Sequence, residues 1–191
     1  MIQKTPITAR HPRQRGFVLT ELLFAVGIMA IVLGAISAVI STQLSTQTAQ
    51  KEGGTIQSVV DDLKVIFLRK SSFIGVDMAL TTTLDLWPTN RVVSPGVVTS
   101  AWGSVVGAST DLAVDPTGKL LRIDIPAVTN KGCSDFAAYA FSAARMTING
   151  QVVFNTTTSG PQVNPLDVAL AVGQCADATS DFSIWFSKDY F

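Results

Sequence analysis

Residues 22–39 hold only apolar side chains, glycine and one serine, and a single carboxylate, Glu21, stands at the head of that run. Few features constrain a chain more. An ionised side chain at the centre of a membrane-embedded helix costs about 2.5–3.5 kcal/mol even on a lenient insertion scale. Glu21 therefore either lies shallow enough to reach lipid headgroups or needs a partner in the apolar surroundings that receive the segment. The residues ahead of it add a direction. Residues 1–16 carry Lys4, Arg10, Arg13 and Arg15 and no acid, the charge of a segment kept on the cytoplasmic side.

Two ordinary export signals fit this stretch poorly. A secretory signal has an apolar core of about 7–15 residues and then a small-residue cleavage site. Residues 35–38 could serve as that site, but the core here is longer and begins beside an acid. A plain signal anchor needs about 20 apolar residues, which fits in length and leaves Glu21 without a purpose. Read in order, the basic leader, Gly16, Phe17, Glu21 and the apolar stretch resemble the class III signal of type IV prepilins. The resemblance implies cleavage between Gly16 and Phe17 by a prepilin peptidase that also methylates the new N-terminus. Phe17 and Glu21 then become assembly residues, the Glu21 carboxylate of one subunit pairing with the Phe17 amine of a neighbour. The expected organisation is a leader over 1–16, an N-terminal helix over 17–70 with a transmembrane part at 17–40, and a globular head over 71–191.

A chain of 191 residues is one domain with extensions. Its net charge of zero is unevenly placed, since past the leader 10 basic side chains face 14 acidic ones, a net of −4. Nothing resembles a nucleic-acid-binding stripe, and Lys64, Arg69 and Lys70 read as a solvated helix end. The one histidine, His11, lies in the leader, so the remainder lacks the usual general base and the commonest metal ligand. With no GxSxG elbow, phosphate loop or metal-binding spacing, no catalytic residue, metal or cofactor is assigned, and the expectation is a protein that is not an enzyme. Cys133 and Cys175 are too distant for a CxxC motif. In an oxidising compartment they read as a disulfide stabilising by roughly 4 kcal/mol, with two buried free thiols as the competing reading.

No proline interrupts residues 17–70, and Ile56, Val59, Val60, Leu63, Ile66 and Phe67 recur at spacings of three and four, one apolar stripe on a helix. Gly53-Gly54 would cost that helix roughly 2 kcal/mol relative to alanine, which predicts a bend or a local break. Gly27 and Gly34 either let neighbouring helices approach or are simply the glycine common in membrane helices. Beyond residue 70 the pattern shortens. It predicts a short helix or irregular segment at 71–85 and a loop at 89–96. Strands are expected at 102–107, 111–114, 119–125 and 182–186. A helix capped by Ser134 is expected over 134–145, and a hairpin within 146–154 turns at Asn149-Gly150. A polar loop follows at 155–165, and 166–172 is open between helix and strand. The fold class is α+β: a long N-terminal helix, half membrane-type and half amphipathic, packed on an antiparallel-type sheet head.

The resemblance reaches into the head. The region from Cys133 to Cys175 looks like the disulfide-closed C-terminal region of type IV pilins. The run Ala101-Trp102-Gly103-Ser104-Val105-Val106 is similar to the Pro-Trp-Gly-Gly-x-Val stretch of type IVb pilins, with Ala101 in place of the proline and Ser104 in place of the second glycine. Phe17 as first mature residue is more typical of the IVa branch. Trp102 reads equally as a core aromatic or as an assembly residue. What the resemblance implies is the structural subunit of a type IVb-like pilus, with conjugation or adhesion as its task. The prepilin would sit in the inner membrane with its head in the periplasm, and then join an extracellular homopolymer. Its partners would be further copies of itself, the prepilin peptidase, an inner-membrane platform protein and an assembly ATPase. A minor pilin or a type II secretion pseudopilin is the alternative.

Overall fold

One helix, α1 (Leu19–Ile66), carries the proline-free segment. It belongs to a computed structural model that describes the backbone of residues 19–138 and 142–189. The chain divides into two units, Met1–Ser41 and Thr42–Phe191.

In the first unit the described side chains, 22–37, are exposed and, Ser37 apart, apolar, Phe24 and Ile31 each at 74%. At about 100° per residue, Leu22, Leu23, Phe24 and Val32 point to four different sides, so no single face is the greasy one. A helix apolar all round is one that some other apolar phase must cover.

The part of α1 in the second unit is amphipathic. Ala49, Ile56, Val59, Val60 and Leu63 are each 2% exposed or less. The helix runs unbroken through Gly53-Gly54, without the local break that is one of the two expectations. Burying each Val, Leu or Ile returns about 1.5–3 kcal/mol, and four such residues outweigh the roughly 2 kcal/mol the two glycines cost. The helix ends at Ile66, short of the expected residue 70. Two hydrogen bonds, Leu68 N–H to Val65 O and Lys70 N–H to Phe67 O, turn the chain there. Ile66 is left exposed by that turn, whereas Lys64, one helical turn after Val60, is buried and not a solvated end.

The head is a seven-stranded sheet in the order β1-β2-β3-β4-β7-β5-β6, with every neighbouring pair antiparallel. The strands are β1 (Val92–Ser94), β2 (Val97–Thr99), β3 (Val105–Thr110), β4 (Leu120–Thr129), β5 (Ala143–Ile148), β6 (Gln151–Asn155) and β7 (Thr179–Ser187). Among the described residues three short helices complete it: α2 (Met78–Thr83), α3 (Asn130–Ala138) and α4 (Val168–Gln174). Alternation sends Leu121, Ile123 and Ile125 of β4 and Phe182, Ile184 and Phe186 of β7 into the core that holds the α1 stripe. The opposite face buries a smaller cluster of Leu120, Ala144 and Trp185. There the Arg145 guanidinium lies 5.1 Å from the Trp185 ring centre.

Local chemistry accounts for the differences from expectation. The presumed loop at 89–96 contains β1 and the turn into β2. The expected strand at 102–107 starts only at Val105, because residues 101–103 form a turn. Residues 111–114 are a turn and not a strand, since the Asp111 carboxylate accepts the N–H groups of Ala113 and Val114. The expected helix at 134–145 divides: α3 begins earlier, at Asn130, so Ser134 caps nothing, and Ala143 already opens β5. Its run of alanines reads as helical in isolation, but Ala143 stands opposite the bulky Phe186 of β7, where a small residue fits. The ambiguous 166–172 segment becomes α4, capped by Asp167, whose carboxylate accepts the Leu170 N–H at 2.9 Å. The β5–β6 turn is as expected, with positive φ at both Asn149 and Gly150, which a tight two-residue hairpin turn demands.

Candidate functional site

Of the residues expected to carry processing and assembly, Gly16 and Phe17 lie outside the described residues. Glu21 falls in the first turn of α1, and its side chain also lies outside them. Among the described residues no helix is long and apolar enough to cross a membrane. The transmembrane part expected at 17–40 extends at both ends beyond the described side chains. The described apolar side chains, 22–37, fall short of the roughly 20 residues that a crossing needs. Neither Gly27 nor Gly34 meets another atom within 4 Å of where a Cβ would stand.

The head carries the remaining expected features, and they converge. Cys133 in α3 and Cys175 at the C-terminal cap of α4 form a disulfide with their Cα atoms 5.6 Å apart, which answers the free-thiol alternative. Residues 100–104 make a tight turn in which Ser100 N–H donates to Ser104 O and Gly103 N–H to Ser100 O. The two serine hydroxyls lie 2.8 Å apart in a hydrogen bond, so Ser104 does structural work that a glycine could not. Gly103 takes φ +82, a conformation open to glycine at little cost. Trp102 leaves this turn edge-on to Phe136 of α3, with centroids 5.3 Å apart and planes at 74°, and Phe136 meets Phe182 in the same way. Such pairs contribute about 0.5–1.5 kcal/mol beyond their buried area. Gly132 permits the approach, since a Cβ there would stand 2.8 Å from the Trp102 indole nitrogen. Trp102 thus has a packing role that ties the turn to the disulfide-bearing helix.

One feature went unseen in the sequence. Glu52 of α1 is fully buried, its carboxylate 2.8 Å from Arg91 Nη1 and accepting the Ala101 N–H at 3.0 Å. Arg91 also donates to the carbonyl of Thr99. The second carboxylate oxygen, Oε1, is buried with no hydrogen-bond partner. Helix, first hairpin and the 100–104 turn therefore meet at one charge. The signal was available: Glu52 falls on the apolar stripe, between Ala49 and Ile56, where a carboxylate needs a cation.

On the other face of the sheet Asp111 accepts the Trp185 indole N–H at 3.0 Å and pairs with Arg122 at 3.2 Å. Burial alone would raise its pKa. The Trp185 and backbone hydrogen bonds, with the Arg122 charge, more than reverse this and hold it below the usual carboxylate value. Among the described residues no group of three or more His, Cys, Asp or Glu side chains could hold a metal ion.

No protein-family model matches the sequence, and no curated protein matches it significantly. Solved structures do resemble it. The type IV b pilin from Salmonella typhi superposes with a TM-score of 0.53 at 13% identity, covering 72% of this chain and 99% of that one. TcpA, a type IV pilin from the Vibrio cholerae El Tor biotype, gives 0.50 at 14% identity, with 73% and 98% covered. At such identities the likeness lies in the arrangement of helix and sheet and not in shared side chains: the chain has the type IV b pilin fold.

Proposed function

We propose that the chain is the structural subunit of a type IVb-like pilus, cut after Gly16 and polymerised through its N-terminal helix. The observation that carries this reading is the pilin fold of the head on a chain whose first residues bear a basic leader, Gly16, Phe17 and Glu21 in that order. The exposed apolar surface of residues 22–37 supports it further, because it requires an apolar phase in every state of the protein. Before assembly that phase is the inner membrane, with the basic leader inside. Afterwards it is a bundle of the same helices from neighbouring subunits, within an extracellular filament.

Inside such a bundle the Glu21 carboxylate is paired with the freed Phe17 amine of an adjoining subunit. A subunit that docks out of register leaves a buried charge unmatched, at a cost of about 3–5 kcal/mol, so the pair sets the register while Leu22 to Val39 supply contact area. The prepilin peptidase, the platform protein and the assembly ATPase act on this chain from outside it. Glu at the fifth mature position favours a polymerising subunit over a minor pilin or a type II secretion pseudopilin.

Sheared surface material and intact mass test the proposal together. Wild-type filaments should yield a chain starting at Phe17, and Glu21→Ala should give a processed, inserted subunit with no filaments. Normal piliation in Glu21→Ala, or a mature chain that begins elsewhere, would overturn the reading.

A further inference from the structure

The face of the sheet turned away from α1 bears a cleft of about 570 Å³ that the pilus reading does not use. Its apolar lining is Val114, Pro116, Leu120 and Ala144, laid over the buried Trp185. Two loops face each other across it, and each is locked from within. On one side the Asp115 carboxylate accepts the N–H and hydroxyl of Thr117 and the N–H groups of Lys119 and Leu120. On the other, the fully buried Asn155 amide donates to the carbonyls of Ser159 and Pro161, and its oxygen accepts from Thr157. The walls are thus ordered before any ligand arrives, which removes part of the entropic cost of binding.

Among the described residues, each charged group that lines the cleft already has a partner within the protein. Asp115 is saturated by its four hydrogen bonds, and Lys119 pairs with Asp189 at 2.8 Å. An ionic ligand would have to compete with those partners. The hydroxyls tell the rest. Those of Thr117, Thr156 and Thr157 have given their hydrogens to Asp115, the Ala144 carbonyl and Asn155. The Thr117 and Thr156 hydroxyls keep oxygen lone pairs, while Thr157 Oγ1 also accepts the Ser159 N–H. Such lone pairs suit O–H donors, and the hydroxyls of Thr158, Ser159 and Ser187 in the same lining can donate in return. An apolar floor beneath hydroxyl-lined walls, in a volume within the range of small-molecule sites, matches a pyranose with one C–H face and a rim of hydroxyls.

We propose that this cleft binds a neutral saccharide of one or two rings. Saturation-transfer NMR on the full chain in a zwitterionic detergent, free of sugar headgroups, tests it with lactose, maltose and cellobiose as probes and glucose 6-phosphate as the charged control. The proposal expects transfer to the ring protons of at least one neutral disaccharide. Thr158→Arg and Pro116→Arg, exposed positions on facing walls, should each raise its Kd at least about tenfold, equivalent to 1.4 kcal/mol. A chain ending at Asp189, measured in parallel, keeps the test independent of residues 190 and 191. Absence of transfer from all three sugars in both chains would overturn the proposal. Transfer indifferent to both arginine variants, or tighter binding of the phosphate ester, would do the same.

Discussion

Replacing Arg91 with alanine strands a carboxylate in the core. The Glu52 side chain is 1% exposed and its Oε1 is already without a partner. Loss of Arg91 leaves the charge with one backbone N–H, from Ala101. Removing one member of a buried ion pair costs about 3–5 kcal/mol. Arg91 itself is 18% exposed, so water already screens the pair in part, and the lower end, about 3 kcal/mol, is the expected loss. In a domain of this size, about 2–4 °C per kcal/mol turns that into a fall in Tm of roughly 6–12 °C. Near-UV circular dichroism of the tryptophans during thermal and urea unfolding, on the full chain in mild detergent, reads the head directly. The companion variant, Glu52→Leu with Arg91→Leu, should recover most of the loss, because apolar residues in place of both charges are often neutral or better. An Arg91→Ala loss below about 1 kcal/mol, the range of exposed pairs, would refute the reasoning. A double variant as damaged as the single one would refute it too.

Two further outcomes are expected. Serine at both Cys133 and Cys175 should lower stability by about 2–5 kcal/mol, read as a fall in urea midpoint, and an unchanged midpoint would contradict a structural bond. Asp111 has a folded pKa depressed below its ordinary 3.8. Its contribution is therefore complete above that value and is lost as pH falls through the folded pKa. Wild type should be more stable than Asp111→Asn at neutral pH, and the gap should narrow below about pH 4. Parallel urea-midpoint profiles for the two chains would count against the assignment.

The elements that could be read from the sequence are those whose physics is local. Leu121, Ile123 and Ile125 alternate, and they form a strand buried on one face. Asn149-Gly150 is a turn by its own backbone preferences. Val59, Val60 and Leu63 mark the buried side of α1 whatever they pack against. Where distant partners decide, local reading failed. Ala143 and Ala144 are helix formers drawn into a strand by Phe186 and Trp185, more than forty positions away. Gly53-Gly54 stays helical because the stripe on either side is docked. Glu52 was legible as a polar intrusion in an apolar stripe, but its cation, Arg91, could be named only once the fold had placed the first hairpin against α1. Strand order was beyond reach altogether, since nothing in 182–186 says which neighbours it will find.

That strand order has a consequence for biogenesis. β7 comes last among the strands along the chain yet lies between β4 and β5, so the two halves of the sheet share no ladder except through it. Until residues 179–187 have emerged, β4 and β5 each present an unsatisfied edge, the kind of template on which chains mispair. A head that emerges N-terminus first must therefore wait, held open, for its final segment to arrive. The interval before that keystone drops in is when a chaperone would have most to protect.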